Sequence, residues 1–412
     1  MALESFQSFL QSISRSLGGD GPITVVMGNE AGDPDSMVSA LSLAYLLHHS
    51  PSEASRSIVP MFNFPRADLP IRPECGYVFE HAFPDSGPLA AREVIGCARF
   101  VDEIDLDLFK EKRDLRLVLT DHNRLASVQS KFGSLVCGIV DHHADENAYP
   151  ATQCPLRIIS PVGSCCTLVA RQYVDAGIDL ASTVPPQLAT LILGPILHDT
   201  DCLSKESGRV KDVDVSMALL LSAIASGTST TATLLSTPAS PDSSLPPYFA
   251  SYAQSIKAAK KSLRSLTSPD LLRRDFKLSS YPLPHTSTTA AVGFSTVSWD
   301  VDKWVKRDGP DAVVAAIVEF SAAMEVDAEL VMLHRTGDAD KFERQMVVAV
   351  KDTGKVSGWF VEEMVECAEL KMEPYKLKKS GSEWKLKSNT GIPFTVKVFV
   401  QGNPAMSRKL VG

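Results

Sequence analysis

Aspartate and histidine gather at four points in the first half of the chain: Asp33-Pro34-Asp35, Asp121-His122, Asp141-His142-His143 and His198-Asp199. Each group follows an apolar run, from Ile23-Thr24-Val25-Val26-Met27 to Leu191-Ile192-Leu193-Gly194-Pro195-Ile196-Leu197. Carboxylates with imidazole and no cysteine form a hard donor set suited to Mg2+, Mn2+ or Co2+. Brought together, Asp33, Asp35, Asp121 and Asp199 would repel by about 4 kcal/mol per close pair at an effective dielectric of 20, a cost that divalent cations remove. Two such ions about 3.5 to 4 Å apart lower the pKa of a bridging water and clamp a phosphoryl oxygen. The chemistry expected is hydrolysis of a phosphoanhydride or phosphoester by a metal-bridged hydroxide.

Each motif also has a plainer reading. Asp33-Pro34-Asp35 is equally an ordinary helix N-terminus, since proline restricts the backbone there and aspartate is a favoured cap. Asp121 alone reads as a turn residue. Asp141-His142-His143 is more specific, because adjacent imidazoles after a buried strand point in different directions, so one can bind metal while the other faces substrate. Lys205, six residues beyond Asp199, is solvated surface unless it belongs to this set.

The elements that must position these groups are legible as apolar runs. Ile23–Met27, Leu115–Leu119, Val136–Val140 and Leu188–Leu197 read as strands, with a helix over Ser36–His48. Continuous rather than alternating apolarity predicts strands covered on both faces, as in a parallel α/β sheet, whose ligands collect beyond the carboxyl ends of the strands. Residues 1–226 are therefore assigned to a catalytic α/β domain with a parallel sheet, and the Ser/Thr/Pro-rich stretch 227–247 to a linker. Residues 248–412 are assigned to a smaller mixed α/β domain, with a helix over Tyr248–Leu266, another near Val313–Met324, and strands at Ala291–Val297, Ala328–Leu333, Met346–Val350 and Phe394–Val400.

Composition narrows the classes. With 412 residues and 44% hydrophobic content the chain can bury a sizeable core in two or three domains. A net charge of -8 argues against nucleic-acid binding, although Lys351 to Gly412 carries 11 Lys/Arg against 7 Asp/Glu, a local excess able to guide a small polyanion. The eight cysteines show no C-x-x-C spacing and read as reduced core thiols. The opening segment lacks the apolar core of a secretory signal, and no run is long enough to span a bilayer. A cytoplasmic location is expected, without membrane association or an obligate protein partner.

In this order the four motifs resemble the DHH phosphoesterase superfamily, in the branch of family II inorganic pyrophosphatases, yeast-type cytosolic exopolyphosphatases and prune-like proteins. The resemblance continues in Leu271-Leu272-Arg273-Arg274-Asp275-Phe276-Lys277, similar to the opening of that branch's C-terminal domain, and in Ser407-Arg408-Lys409, similar to its closing signature. It implies that Asp33 and Asp121 hold one metal and that Asp35, Asp121, His142 and Asp199 hold the other. It further implies that His143, Lys205, Arg408 and Lys409 bind phosphate, in a cleft between the domains. Where the pyrophosphatases carry a metal-binding histidine this chain has Asn29, as the exopolyphosphatases do. An amide oxygen suits Mg2+ better than Mn2+ or Co2+, so Asn29 is expected at the substrate side as a weak ligand or a water-positioning group, with two Mg2+ ions favoured and Mn2+ or Co2+ as alternatives. The activity implied is exopolyphosphatase, acting on inorganic polyphosphate and short phosphoanhydrides. A pyrophosphatase and a prune-like regulatory binder of phosphorylated ligands are the alternatives.

Overall fold

The computed structural model describes residues 2–227, 246–283, 287–336, 342–356, 359–368, 370–375, 383–389 and 391–401. The expected linker, but for its ends, and Arg408 and Lys409 lie outside the described residues. The chain divides into two compact units. Met1–Leu125 and Gln129–Lys260 form the first; Ala126–Val128 and Lys261–Gly412 form the second.

The first unit is built on six strands, β1 (Ile23–Met27), β2 (Ser57–Phe62), β3 (Arg99–Phe100), β4 (Leu115–Thr120), β5 (Val136–Asp141) and β6 (Leu156–Ile159). They form one sheet in the order β3-β2-β1-β4-β5-β6, every neighbour parallel. The helices are α1 (Ala2–Leu17), α2 (Pro34–His48), α3 (Pro73–Ala82), α4 (Ala91–Cys97), α5 (Leu106–Lys112), α6 (Cys165–Asp175), α7 (Leu180–Thr183), α8 (Pro186–Asp199), α9 (Asp212–Ala225) and α10 (Tyr248–Lys260). All five residues of β1 are buried, as a strand flanked on both sides and covered on both faces requires. The opening segment forms the amphipathic α1, which seats Phe6, Phe9, Leu10 and Ile13 in the core. Strand β2 is not among the runs read from the sequence, and it contains Pro60. That proline is tolerated because β3 pairs only from Met61 onward, leaving one flank of β2 without a ladder at Pro60.

One expected strand is a helix. Leu188–Leu197 lies within α8, whose residues from Leu191 to Leu197 are all buried. Its apolarity is continuous because α2, α3, α6, α9 and α10 all pack on it, and a helix surrounded by other helices has no polar face. Asp199 is therefore delivered by a helix C-terminus and not by a strand end. Helix α10, read from sequence as opening the second domain, ends at Lys260 and packs on α3 and α8 of the first unit.

The second unit carries a mixed sheet of β7 (Phe276–Pro282), β8 (Thr289–Val297), β9 (Ala328–Thr336), β10 (Phe342–Lys351), β11 (Met372–Pro374), β12 (Glu383–Lys387) and β13 (Pro393–Gln401). Its order is β11-β13-β10-β9-β8-β7, with β12 also on β13; β8 and β9 are parallel and the other pairs antiparallel. Val331 and Leu333 of β9 face one apolar cluster, with Val313, Val314 and Ile317 of the helix Pro310–Ala323, while Ala328, Leu330 and Met332 face a second.

Glu329 interrupts this apolar packing. It is fully buried, accepts a 2.6 Å hydrogen bond from the Ser295 hydroxyl, and its second oxygen occupies the space that a side chain at Gly293 would fill. Burial pushes its carboxyl up to about 8, against the lowering effect of the Ser295 bonds. The acid is thus neutral in the folded domain where the unfolded chain already ionises. Its stabilising effect is complete below about pH 4.5 and is lost as pH rises through about 8, at up to about 1.4 kcal/mol per pH unit. All four tryptophans lie beyond residue 298, so their fluorescence reports on this unit alone. Urea unfolding followed by tryptophan emission should show a lower midpoint at pH 8.5 than at pH 5, and Glu329→Gln should remove most of that difference.

Candidate functional site

The loop after β1 is shaped by contacts that leave little freedom. Gly32 has φ +61°, and a Cβ there would fall 2.1 Å from the Phe64 ring, so both its conformation and its surroundings demand glycine. The buried Arg72 lies over that ring, 4.0 Å from its centroid, and donates from Nε to the Ala31 carbonyl at 2.9 Å. Asp33 then caps α2, accepting from the Ser36 amide at 3.0 Å. The capping reading of this motif is thus realised, and it uses one carboxylate oxygen.

Asp35, in the first turn of α2, is buried and meets the N-terminus of α6. Its oxygens accept from the Ser164 hydroxyl at 2.7 Å and from the amides of Cys165 and Cys166 at 2.7 and 2.9 Å. Charge-assisted bonds to a helix N-terminus hold an anion where solvent cannot.

Asp121, just beyond β4, has φ +63°, a left-handed conformation that aspartate tolerates better than most residues. One carboxylate oxygen accepts from the Asn29 side-chain amide at 2.5 Å; the other lies 3.2 Å from His142 Nε2 and 3.7 Å from His143 Nδ1. Burial raises its carboxyl well above the usual range; the His142 bond opposes this, and the charges of Asp35 and Asp33 add to it. Asp199 is raised likewise, by burial first and then by Asp35 and Asp33. For His142 burial acts downward but is outweighed by the hydrogen bond with Asp121 and the charges of Asp35, Asp121 and Asp199, so the ring is pushed up to about 11. Positive charge is wanted here.

The two imidazoles have separate roles. His142 Nδ1 lies 3.1 Å from the Val162 carbonyl, which can only accept, so Nδ1 carries a proton and Nε2 faces Asp121 and Asp35. This is the arrangement of a histidine held ready to ligate. His143 instead directs Nδ1 to Asp141 at 2.8 Å, turning Nε2 away from that carboxylate. Asp141 is fully buried and also accepts from Asn123 and from the His143 backbone amide. Burial would raise it, but these bonds and the His143 charge hold it well below the usual carboxylate range.

Of the residues expected from the motifs, Asp33, Asp35, Asp121, His142, His143 and Asp199 act on one another within the first unit. Asp121, His142 and His143 each offer a ligand atom within 4.8 Å of the others, and the surrounding carboxylates complete a hard donor set that fits divalent cations. Asn29 joins them in an unforeseen role. Its carbonyl oxygen accepts from the Ala31 and Gly32 amides at 2.9 and 3.2 Å, so the side chain braces the loop and holds Asp121. Lys205 is exposed on a short turn, Lys205–Ser207, that follows three consecutive left-handed residues, Asp201, Cys202 and Leu203. Arg408 and Lys409 are outside the described residues. Pattern reading missed the supporting roles of Asp141, Asn123, Arg72 and Ser164. The first was visible as the leading residue of Asp141-His142-His143 and Asn123 as the close of Thr120-Asp121-His122-Asn123, while Arg72 and Ser164 carried no local signal.

Mn2+ added to metal-free protein should raise its melting temperature by binding linkage. Asp121→Asn should abolish that rise while leaving the metal-free protein folded, because asparagine keeps the side chain's size and accepts positive φ. Equal metal-induced shifts in both proteins, read by scanning fluorimetry, would exclude Asp121 as a ligand.

Comparison with known proteins places two family models on the chain: the DHH family N-terminal domain over residues 23–196 and the DHHA2 domain over residues 254–412. A putative exopolyphosphatase of Schizosaccharomyces pombe is 28% identical over 370 residues, covering 81% of this chain and 85% of that protein. Exopolyphosphatase PRUNE1 of Rattus norvegicus is 30% identical over 305 residues, 74% of this chain, and the match spans 58% of the rat protein's length. A probable manganese-dependent inorganic pyrophosphatase of Lactococcus lactis is 26% identical over 197 residues, 47% of this chain and 54% of the other.

Proposed function

The chain belongs to the DHH family, with a DHHA2 domain following its DHH domain, and from that premise we propose that this hydrolase is an exopolyphosphatase, removing terminal orthophosphate from linear inorganic polyphosphate. The observation that carries the reading is the gathering of Asp121, His142 and His143 beside Asp35, with His142 Nδ1 committed to a backbone carbonyl and Nε2 left facing the carboxylates.

Asp33, Asp35, Asp121, His142 and Asp199 would hold two divalent ions, with Asp121 common to both. When bound, such ions supply Lewis acidity toward phosphoryl oxygens and lower the pKa of water. His142 presents Nε2 because Val162 fixes its tautomer. Asp141 likewise holds the His143 ring by Nδ1, leaving its Nε2 for the substrate's phosphoryl group. Asn29 orients Asp121 through its amide. Lys205, Arg408 and Lys409 would bind the substrate's phosphates, the arginine bidentately and the lysines as point charges.

Two observations favour polyphosphate over pyrophosphate. Likeness to the S. pombe putative exopolyphosphatase runs over most of both chains, whereas the L. lactis pyrophosphatase matches about half of each. Asn29 also stands where an imidazole ligand would otherwise add to the first metal's donors, and its amide is spent on the loop and on Asp121. The location proposed is the cytoplasm; among the described residues no helix is long and apolar enough to cross a membrane.

Orthophosphate release from tripolyphosphate and longer chains, with Mg2+ or Mn2+ present, should exceed release from pyrophosphate at equal substrate concentration. Turnover of pyrophosphate as fast or faster would favour the pyrophosphatase reading, and no metal-dependent release from any of them would favour a regulatory binder. Asp121→Ala should abolish turnover. Replacing Arg408 and Lys409 together by alanine should raise KM for tripolyphosphate at least tenfold while leaving the melting temperature unchanged, and an unaltered KM would remove both from the substrate site.

A further inference from the structure

Five consecutive residues, Val162 to Cys166, serve two of the site's groups at once. The Val162 carbonyl fixes His142. The Ser164 hydroxyl and the amides of Cys165 and Cys166 fix Asp35. Between these two sets of contacts lies Gly163, and its amide is held by a carboxylate that none of the four motifs contains. Asp214, in the first turn of α9, accepts from the Gly163 amide on both oxygens at 3.1 and 3.0 Å, from the Thr167 hydroxyl at 2.6 Å and from the Lys211 amide at 2.8 Å. It is fully buried, and among the described residues it forms no ion pair.

A carboxylate kept out of solvent without a cation is costly unless backbone and hydroxyl donors surround it, and here they come from three places in the chain. Those donors fix the position of each segment relative to the others. A Cβ on Gly163 would fall 2.3 Å from the Thr200 methyl group and 3.2 Å from the Asp214 carboxylate, with Thr200 next to Asp199. The loop therefore packs closely on both Asp214 and the end of α8, with no room for a side chain at this position.

We infer that Asp214 is a positioning residue of the metal centre: it clamps Gly163 so that Val162 sets the ring of His142 and the α6 N-terminus sets the carboxylate of Asp35. Asp214 would act through Gly163 and not as a ligand itself. The inference rests on the proposed reading of His142 and Asp35 as ligands, but its first consequence belongs to the metal-free protein.

Asp214→Asn keeps the side chain's size and replaces one acceptor oxygen by a donor facing backbone amides. Amide hydrogen exchange in the metal-free variant should accelerate over residues 160–166 while β5 stays protected. Mn2+ affinity, measured by the loss of free-ion EPR signal, should fall 10- to 100-fold, the range seen when the partner that orients a ligand is removed. Leu221→Ala is the control, since Leu221 is fully buried in the same helix but makes none of these bonds. It should lower the melting temperature and leave Mn2+ affinity within twofold of the parent.

An Asp214→Asn protein that is folded by circular dichroism, with unchanged exchange over 160–166 and parental Mn2+ affinity, would overturn the inference. Should that variant not fold, Thr167→Val removes only the hydroxyl donor to Asp214; a severalfold loss of Mn2+ affinity supports the clamp and an unchanged isotherm sinks it. If the parent itself binds no Mn2+, the reading of the metal site fails, and the exchange measurement still decides the role of Asp214.

Discussion

Holding several carboxylates together away from water is the constraint on which the first unit is organised. Asp121 and Asp199 are driven upward by burial and by the charges of Asp33 and Asp35, while His142 is driven upward by the same anions. An arrangement of this kind has a standing demand for positive charge. Protons meet it in part in the free protein, and divalent ions would meet it more fully because each brings two charges to oxygens already facing one another.

The protein limits the cost by spending backbone donors on the anions. Asp33 takes an amide of α2, and Asp35 takes two amides and a hydroxyl at the start of α6. Asp141 takes the His143 amide and two side chains, and Asp214 takes two backbone amides and a hydroxyl. Each carboxylate is thereby fixed in direction as well as stabilised. The same bonds that make burial tolerable leave one oxygen of Asp33 out of its cap and turn Nε2 of His142 toward Asp121 and Asp35.

The second unit follows different rules. Its sheet has apolar clusters on both faces, its strands are mostly antiparallel, and its fully buried Glu329 is kept neutral by burial. Glu329 is held protonated near neutral pH by burial, against the bonds from Ser295, whereas Asp214 meets amides and a hydroxyl on both oxygens.

Sequence alone determined the donor chemistry and the local frame that carries it. Asp33, Asp35, Asp121, His142 and His143 were identifiable because each ends an apolar run or opens a helix, and strand length and burial are short-range properties that periodicity reports faithfully. It misassigned the run before Asp199, because continuous apolarity describes a central strand and an enclosed helix equally well and only the neighbours of α8 tell them apart. The pattern also gave no hint of β2, where Pro60 is admissible only because one flank is unpaired there. Partner choice belonged wholly to the tertiary structure. That Asn29 braces Asp121, that Val162 rather than a carboxylate fixes His142, and that Asp214 grips Gly163 from 51 residues away are long-range hydrogen bonds. Nothing local in the chain encodes which donor meets which acceptor until packing has brought them within hydrogen-bond distance.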